Sequence, residues 1–269
     1  MPLVGQALCG TLRFGHMKGR NPLQANQTMI VRQAANALEI LEYFAKRLKP
    51  ATPAEMAEDL GWPRSSTFKI IGTLASKGYL YEPRGRGSYY PSPRWLVLAE
   101  AVSAAEPLPE QFHRLARDLV AATGETVAIA APAGVHATFV DVAESVQPVR
   151  YFAKVGDRVP IHATSAGRAL LAQLSTDERA RLYRKIDFVT YSPTTPATPE
   201  AVEARLAEAA EIGWHQSNTE YTPDLAGVAL PLPGTDRLLS VVVVGPVSRC
   251  LERRPEMAAI VKAHLLKLK

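Results

Sequence analysis

Apolar residues recur at helical spacing in successive segments near the beginning of the chain. In the first, over residues 31–48, one stripe consists of Ala34, Leu38, Leu41, Ala45 and Leu48. This spacing predicts an amphipathic helix that buries the stripe. A second, short helix is expected from Thr52, an N-cap residue followed by Pro53 at the first helical position, to the break at Gly61.

A third helix is predicted to begin after Pro63 and to end at Gly78. Its core-facing residues are expected to be Ile70, Ile71 and Leu74. Two β-prone segments, 79–81 and 88–90, follow it, with a glycine-rich turn between them. Three helices and such a hairpin indicate a winged helix-turn-helix, which we assign to residues 29–91.

Beyond this unit the pattern mixes helical and β-capable segments. Residues 92–106 predict a linker helix, whose apolar side either pairs with the same helix of a second subunit or packs on its own chain. Further helices are expected at 110–122 and 164–174, after Ser175 and Thr198, and at the end of the chain; strands are expected at 126–131, 137–142, 149–152, 214–218, 228–231 and 238–244. This predicts an α/β domain around one antiparallel sheet over 107–269, and an α+β protein.

Positive charge is concentrated in residues 62–94. This segment holds six basic residues and one acid, and its balance of +5 equals the net charge of the whole chain. In a winged helix-turn-helix, residues near the N-terminus of the third helix reach base edges, and the wing either enters a minor groove or holds the backbone. We therefore predict DNA contacts by Arg64, Ser65, Ser66, Thr67, Lys69, Arg84, Arg86 and Ser88.

Some alternatives stay open for this domain. Winged helices also serve as protein-interaction modules, although the cationic segment favours DNA. Phe68 either packs against the core or faces DNA, and Lys77 and Arg94 are expected to be plain surface charges.

Several functional classes are disfavoured by what the sequence lacks. There is no run approaching ~18 uninterrupted apolar residues, and residues 1–28 have no compact apolar core typical of a secretory signal. Cys9 and Cys250 form no redox or metal spacing. We expect a cytoplasmic protein with no membrane association and a disordered tail at 1–28, with Met29 as an alternative start.

Enzymatic activity is disfavoured on the same ground. The six histidines form no metal-binding spacing, and neither a phosphate-binding loop nor a nucleophile elbow occurs. We therefore predict no catalytic residues, no metal site and no cofactor.

Several stretches of the chain, taken in order, resemble the IclR family of bacterial transcriptional regulators. They are GWPRSSTFKII at 61–71, KGYL at 77–80, TGETV at 123–127, VGDRVPIHATSAGRALLA at 155–172, IGW at 212–214 with Glu220, VALP at 228–231 and VGP at 244–246. The stretch at 155–172 is the most specific. The resemblance implies a GAF-like effector-binding domain, homodimers joined through the winged-helix region and often paired as dimers of dimers, palindromic operators, and small organic acids as effectors of a repressor or activator.

The same resemblance implies a ligand pocket, whose matched positions are Val159, Ser165, Ala166, Ser217, Leu225 and Gly227. Two of them depart from the family's glyoxylate- and pyruvate-type sensors. Those sensors carry an acid at Ser217 and often a cysteine at Gly227. A lost carboxylate and extra space beside Leu225 favour a larger ligand, such as an aromatic or hydroxylated acid. Its carboxylate would meet helix N-terminal amides at 164–166, and His162 is expected to be structural. The competing hypothesis is a DNA-binding regulator or architectural protein that has no small-molecule ligand.

Overall fold

The computed structural model describes residues 31–85, 87–105 and 108–268. They form two compact units, which meet in sequence between Ser92 and Pro93. In the described part of the chain, no helix has the length and apolarity needed to cross a membrane. The predicted disordered tail at 1–28 lies outside the described residues.

The first unit is a winged helix-turn-helix, as predicted. Its elements are α1 (Arg32–Arg47), α2 (Pro53–Asp59), α3 (Arg64–Ser76), β1 (Leu80–Tyr81) and β2 (Tyr90–Pro91). Thr52 and Glu55 form a capping box that begins α2. Gly61, with φ of 65°, supplies the left-handed turn between α2 and α3. Strands β1 and β2 pair antiparallel and form the base of the wing.

Helix α1 buries a different face from the one that the sequence predicted. The structure buries Asn36, Ile40 and Phe44. The predicted stripe lies at the surface, with Leu38 60% and Leu48 76% exposed. Spacing alone does not tell which stripe faces inward. On the buried face, the ring of Phe44 packs edge to face against Tyr90, with ring centroids 5.5 Å apart.

The second unit is built around one antiparallel sheet, which confirms the predicted α+β architecture. Its helices are α4 (Arg94–Ala105), α5 (Glu110–Thr123), α6 (Ser165–Leu171), α7 (Thr176–Tyr183), α8 (Pro199–Ile212), α9 (Val247–Cys250) and α10 (Arg254–Leu265). Its strands are β3 (Thr126–Ala133), β4 (His136–Ala143), β5 (Arg158–Pro160), β6 (His215–Asn218), β7 (Leu225–Pro231) and β8 (Ser240–Pro246). Their order in the sheet is β5-β4-β3-β8-β7-β6.

The two faces of this sheet are covered by different helices. On one face, α5 and α10 pack against alternate strand residues in one core cluster, which includes Leu119, Met257 and Val241. On the other face, the short helix α6 lies against small residues such as Ala128 and Ala229. Small side chains bring α6 close to the sheet, and this arrangement positions the cavity described below.

One predicted strand is wrong and one was missed. Residues 149–152 are not a strand, because β4 pairs instead with β5 through Ala137 and Val159. Side chains satisfy the backbone of the intervening segment. The Thr126 hydroxyl donates to the Tyr151 carbonyl at 2.8 Å, and Arg249 donates to the Val149 carbonyl at 2.8 Å. Hydrophobic pattern alone therefore suggested a strand where tertiary hydrogen bonds hold a loop.

Candidate nucleic-acid interface and ligand cavity

Helix α3 presents four of the eight predicted DNA-contacting residues at the surface of the first unit. Arg64, Ser65, Ser66 and Lys69 are all exposed. The opposite face of the helix holds Thr67, Ile71 and Leu74 in the core. The N-terminal half of α3 therefore offers two cations and two hydroxyls on its outer side, which is a surface suited to phosphates and base edges.

Three predicted contacts have other outcomes. Thr67 is 0% exposed, and its hydroxyl donates to the Pro63 carbonyl at 3.1 Å. The prediction that Thr67 contacts DNA is therefore wrong, because the fold buries this position of α3 in the core and the hydroxyl bonds to the helix's own backbone. Ser88 is half-buried near the wing. Arg86 lies outside the described residues.

The tip of the wing is ordered by an internal hydrogen bond. The Glu82 carboxylate accepts from the Gly87 amide at 3.1 Å. It also accepts from the Tyr89 hydroxyl, and burial together with this bond raises the pKa of Tyr89. Arg84 projects from this turn and is exposed. The hairpin thus carries Arg84 at its tip, the part of a wing that contacts the backbone of a bound duplex.

The position of Phe68 decides whether this residue packs in the core or lies at the surface. Its side chain is 53% exposed on α3, so it does not pack in the core of its own unit. An exposed aromatic ring among Arg64 and Lys69 adds an apolar group to an otherwise polar surface. Sequence spacing alone did not distinguish an exposed Phe68 from a buried one, because Phe68 directly follows the buried Thr67.

In the second unit, a cavity opens between α6 and the sheet. The cavity is small, with a volume of about 60 Å³, and part of it is open to solvent. Five of the six predicted pocket residues line it: Val159, Ser165, Ala166, Ser217 and Leu225. The Ser165 hydroxyl donates to the Ser217 hydroxyl at 3.3 Å across the cavity wall.

Gly227 has a different role from the one predicted. It is not among the residues that line the cavity. A Cβ built at this position would lie 2.6 Å from the Val243 carbonyl oxygen of β8. The glycine therefore permits close approach of β7 and β8, and the prediction that it opens space beside Leu225 is wrong.

Aromatic side chains that sequence reasoning missed form much of the cavity wall. Phe139, Tyr151 and Tyr221 all line it. Phe139 and Tyr151 meet edge to face, with ring centroids 6.5 Å apart. Burial raises the pKa of Tyr151 to about 12, so this phenol stays neutral at physiological pH. Tyr151 lies in the loop that was taken for a strand, and Phe139 and Tyr221 come from distant elements, so no local pattern connects them.

A buried ion pair lies beside the cavity. Arg168 of α6 is 1% exposed and Glu220, which lines the cavity, is 4% exposed. The Arg168 guanidinium donates to the Glu220 carboxylate at 2.6 Å and also to the carbonyls of His162 and Gln216. Burial raises the pKa of Glu220, and the charge of Arg168 opposes this shift. The cavity wall therefore carries a carboxylate, three residues beyond Ser217 in the sequence. Arg168 neutralises the charge of this carboxylate.

His162 is buried at 2% exposure and does not line the cavity. Its Nε2–H donates to the Val189 carbonyl at 3.3 Å, and its ring meets Phe188 edge to face at 5.2 Å between centroids. Burial lowers its pKa, which favours the neutral form of the ring. These contacts fit the expected structural role.

Comparison with known proteins agrees with both units. The family described as Bacterial transcriptional regulator IclR C-terminal matches residues 101–268, and the IclR helix-turn-helix domain matches residues 33–84. The chain is 25% identical over 243 residues to the transcriptional repressor IclR of Escherichia coli (strain K12), which covers 88% of this chain and 89% of the relative.

Solved structures share the fold. The Thermotoga maritima IclR has a TM-score of 0.69 at 20% identity, over 88% of this chain and 96% of that chain. An IclR homologue from Microbacterium hydrocarbonoxydans, complexed with 4-hydroxybenzoate, has a TM-score of 0.67 at 22% identity, over 87% of this chain and 97% of that chain. The helix-turn-helix match carries DNA binding, and the C-terminal match spans more than half of the chain. The protein is therefore a DNA-binding transcriptional regulator of the IclR family.

Proposed function

We propose that this regulator binds a palindromic operator as a homodimer, and that an aromatic or hydroxylated organic acid in the cavity of the second unit changes its affinity for that operator. The single observation that carries the ligand is the partly open cavity between α6 and the sheet, with its largely apolar wall. Few exposed polar groups and several aromatic rings converge there, as is typical of small-molecule sites.

The character of the wall favours an aromatic ligand. Phe139, Tyr151 and Tyr221 offer ring edges and faces to a planar molecule. Ser165 and Ser217 supply hydroxyls that can donate to a carboxylate. The negative charge of Glu220 does not repel an acid strongly, since Arg168 balances it at 2.6 Å. The Microbacterium structure with 4-hydroxybenzoate shows that a protein of this fold accommodates such a molecule.

On the DNA side, we propose that Arg64, Ser65, Ser66 and Lys69 contact bases and phosphates in the major groove, while Arg84 holds the backbone at the wing. Arg86 belongs to the same proposal on the ground of sequence alone. Two such surfaces in a homodimer would lie about 34–36 Å apart to read successive turns of one face of the duplex.

Exposed apolar side chains support the homodimer. On α1, the stripe that the core leaves uncovered includes Leu38 at 60% exposure. On α4, which buries no residue, Leu96 and Val97 are both 63% exposed and Val102 is 66% exposed. Apolar groups of this size at helical spacing are typical of interfaces between subunits. We propose that the same helices of a second copy cover them, and that dimers can pair further into tetramers.

The test of this function measures DNA affinity with and without ligand. Full-length protein first selects duplexes from a random pool, and fluorescence anisotropy then gives the Kd for a selected duplex in the presence of 4-hydroxybenzoate, glyoxylate or pyruvate. We expect the aromatic acid to change the Kd and the small keto acids to have little effect. The variant Ser217→Leu, which fills the cavity, should bind DNA as the parent does and ignore the acid.

Two outcomes would contradict the proposal in different ways. If none of the three acids changes the Kd, the proposed effector class is refuted and the ligand-free alternative is favoured. If glyoxylate or pyruvate changes the Kd while 4-hydroxybenzoate does not, the cavity selects small keto acids and the aromatic assignment is wrong.

A further inference from the structure

We propose that Phe68 reads the methyl group of thymine in the major groove, which makes it a specificity-determining residue of the DNA-binding surface. This inference rests on the DNA contacts of α3 proposed above and deepens them. It assigns sequence preference to an apolar side chain, in addition to the polar residues considered so far.

The first step is the placement of Phe68 on α3. Ser65, Phe68, Lys69 and Gly72 follow one another at i, i+3, i+4 and i+7, so they share one face of the helix. All four are exposed. The core residues Thr67, Ile71 and Leu74 occupy the opposite side. Phe68 therefore points away from its own unit, together with the hydroxyl and the cation that are expected to face DNA.

The second step is the chemistry of the ring. Phe68 is 53% exposed and lies within the cationic segment 62–94, whose charge favours a polyanion over an apolar protein surface. The C5-methyl group of thymine is the one apolar group that the natural bases display in the major groove, and phenylalanine is among the side chains that contact it. The positive charge favours DNA as the partner of this helix face, and the phenyl ring favours contact with a thymine of that DNA.

The third step is the space beside the ring. A Cβ built at Gly72 would meet nothing within 4 Å. Gly72 follows Phe68 by one helical turn on the same face. The bare backbone at this position allows base pairs to approach α3 closely, so the ring of Phe68 can reach the groove floor.

The test compares thymine with deoxyuridine, which lacks only the methyl group. Each thymine of a duplex selected by the full-length protein is replaced in turn, and the Kd is measured by anisotropy. We expect at least one position in each half-site where deoxyuridine weakens binding about fourfold, which corresponds to about 0.8 kcal/mol for one buried methyl. Phe68→Ala should bind the thymine and deoxyuridine duplexes equally, and Phe68→Leu should keep part of the preference.

The control is Arg84→Ala, which should weaken binding to both duplexes and leave their ratio unchanged, because a phosphate contact carries no base information. The inference is overturned if the parent protein does not distinguish deoxyuridine at any position, or if Phe68→Ala still distinguishes it as the parent does. A protein that retains no duplex in the selection step refutes the proposed function itself, and this outcome is visible before any thymine is replaced.

Discussion

Removing the charge of Glu220 should strongly destabilise the second unit. Arg168 is 1% exposed, and the 2.6 Å contact with Glu220 supplies its counter-charge. Glu220→Gln keeps the size of the side chain but leaves the guanidinium buried with two carbonyl partners. Breaking a buried pair in this way costs about 3–5 kcal/mol. The same loss lowers the melting temperature of a domain of this size by about 6–20 °C.

Urea unfolding followed by circular dichroism measures this cost, and a second background isolates its cause. In an Arg168→Met protein, Glu220→Gln should cost much less, because no buried cation remains. Glu110→Gln is the control, since its pair with Arg117 is exposed on both sides (66% and 60%) and should leave the transition unchanged. The reasoning is refuted if Glu220→Gln unfolds at the same urea concentration as the parent, or if its cost is equal in both backgrounds.

Three further predictions concern DNA, assembly and pH. Arg64→Ala should relax recognition at particular operator positions by about 1–3 kcal/mol. Arg84→Ala should weaken binding to all sequences and, because a dimer loses two contacts, flatten the salt dependence by about two units, as competition assays at several salt concentrations would show. Leu38→Glu should shift the protein toward monomer in sedimentation and weaken DNA binding, while Leu266→Glu, on a residue 73% exposed outside α1 and α4, should do neither. Burial lowers the pKa of His215 to about 4. The unfolded chain takes up this proton near pH 6.5, so up to about 3 kcal/mol of stability should be lost as the pH falls from 6.5 to 4, and a His215→Gln variant measured by urea unfolding should lack that part of the loss.

The winged helix-turn-helix was predictable because its determinants are local. The capping residue Thr52, the turn at Gly61 and the wing glycines each act on their own few residues. Thr67 was placed wrongly for the opposite reason. A short polar side chain in the fourth position of α3 looks suited to DNA, but the helix needs a buried residue there and the hydroxyl bonds to the preceding turn.

The cavity was predictable only in part. The resemblance to the IclR family pointed to Ser165 and Ser217, which the structure brings to within 3.3 Å of each other. The aromatic wall depends on how distant segments meet, as Phe139 of β4 and Tyr151 of the following loop do. Hydrophobic pattern treats such residues as ordinary core. Likewise, the exposed stripe of α1 has the same periodicity as its buried stripe, which holds Ile40 and Phe44, and only tertiary packing distinguishes the two.

The most direct test of the central claim is the salt dependence of binding between the full-length protein and a selected duplex. The cations of α3 and the wing should release counterions on binding, so log Kd should rise linearly with log salt concentration, by about 0.9 for each phosphate that the protein contacts. A dimer that uses Arg64, Lys69 and Arg84 in each subunit predicts a slope of about 5. A protein that ignores duplex DNA even at low salt, or binds it with no salt dependence, would contradict the account.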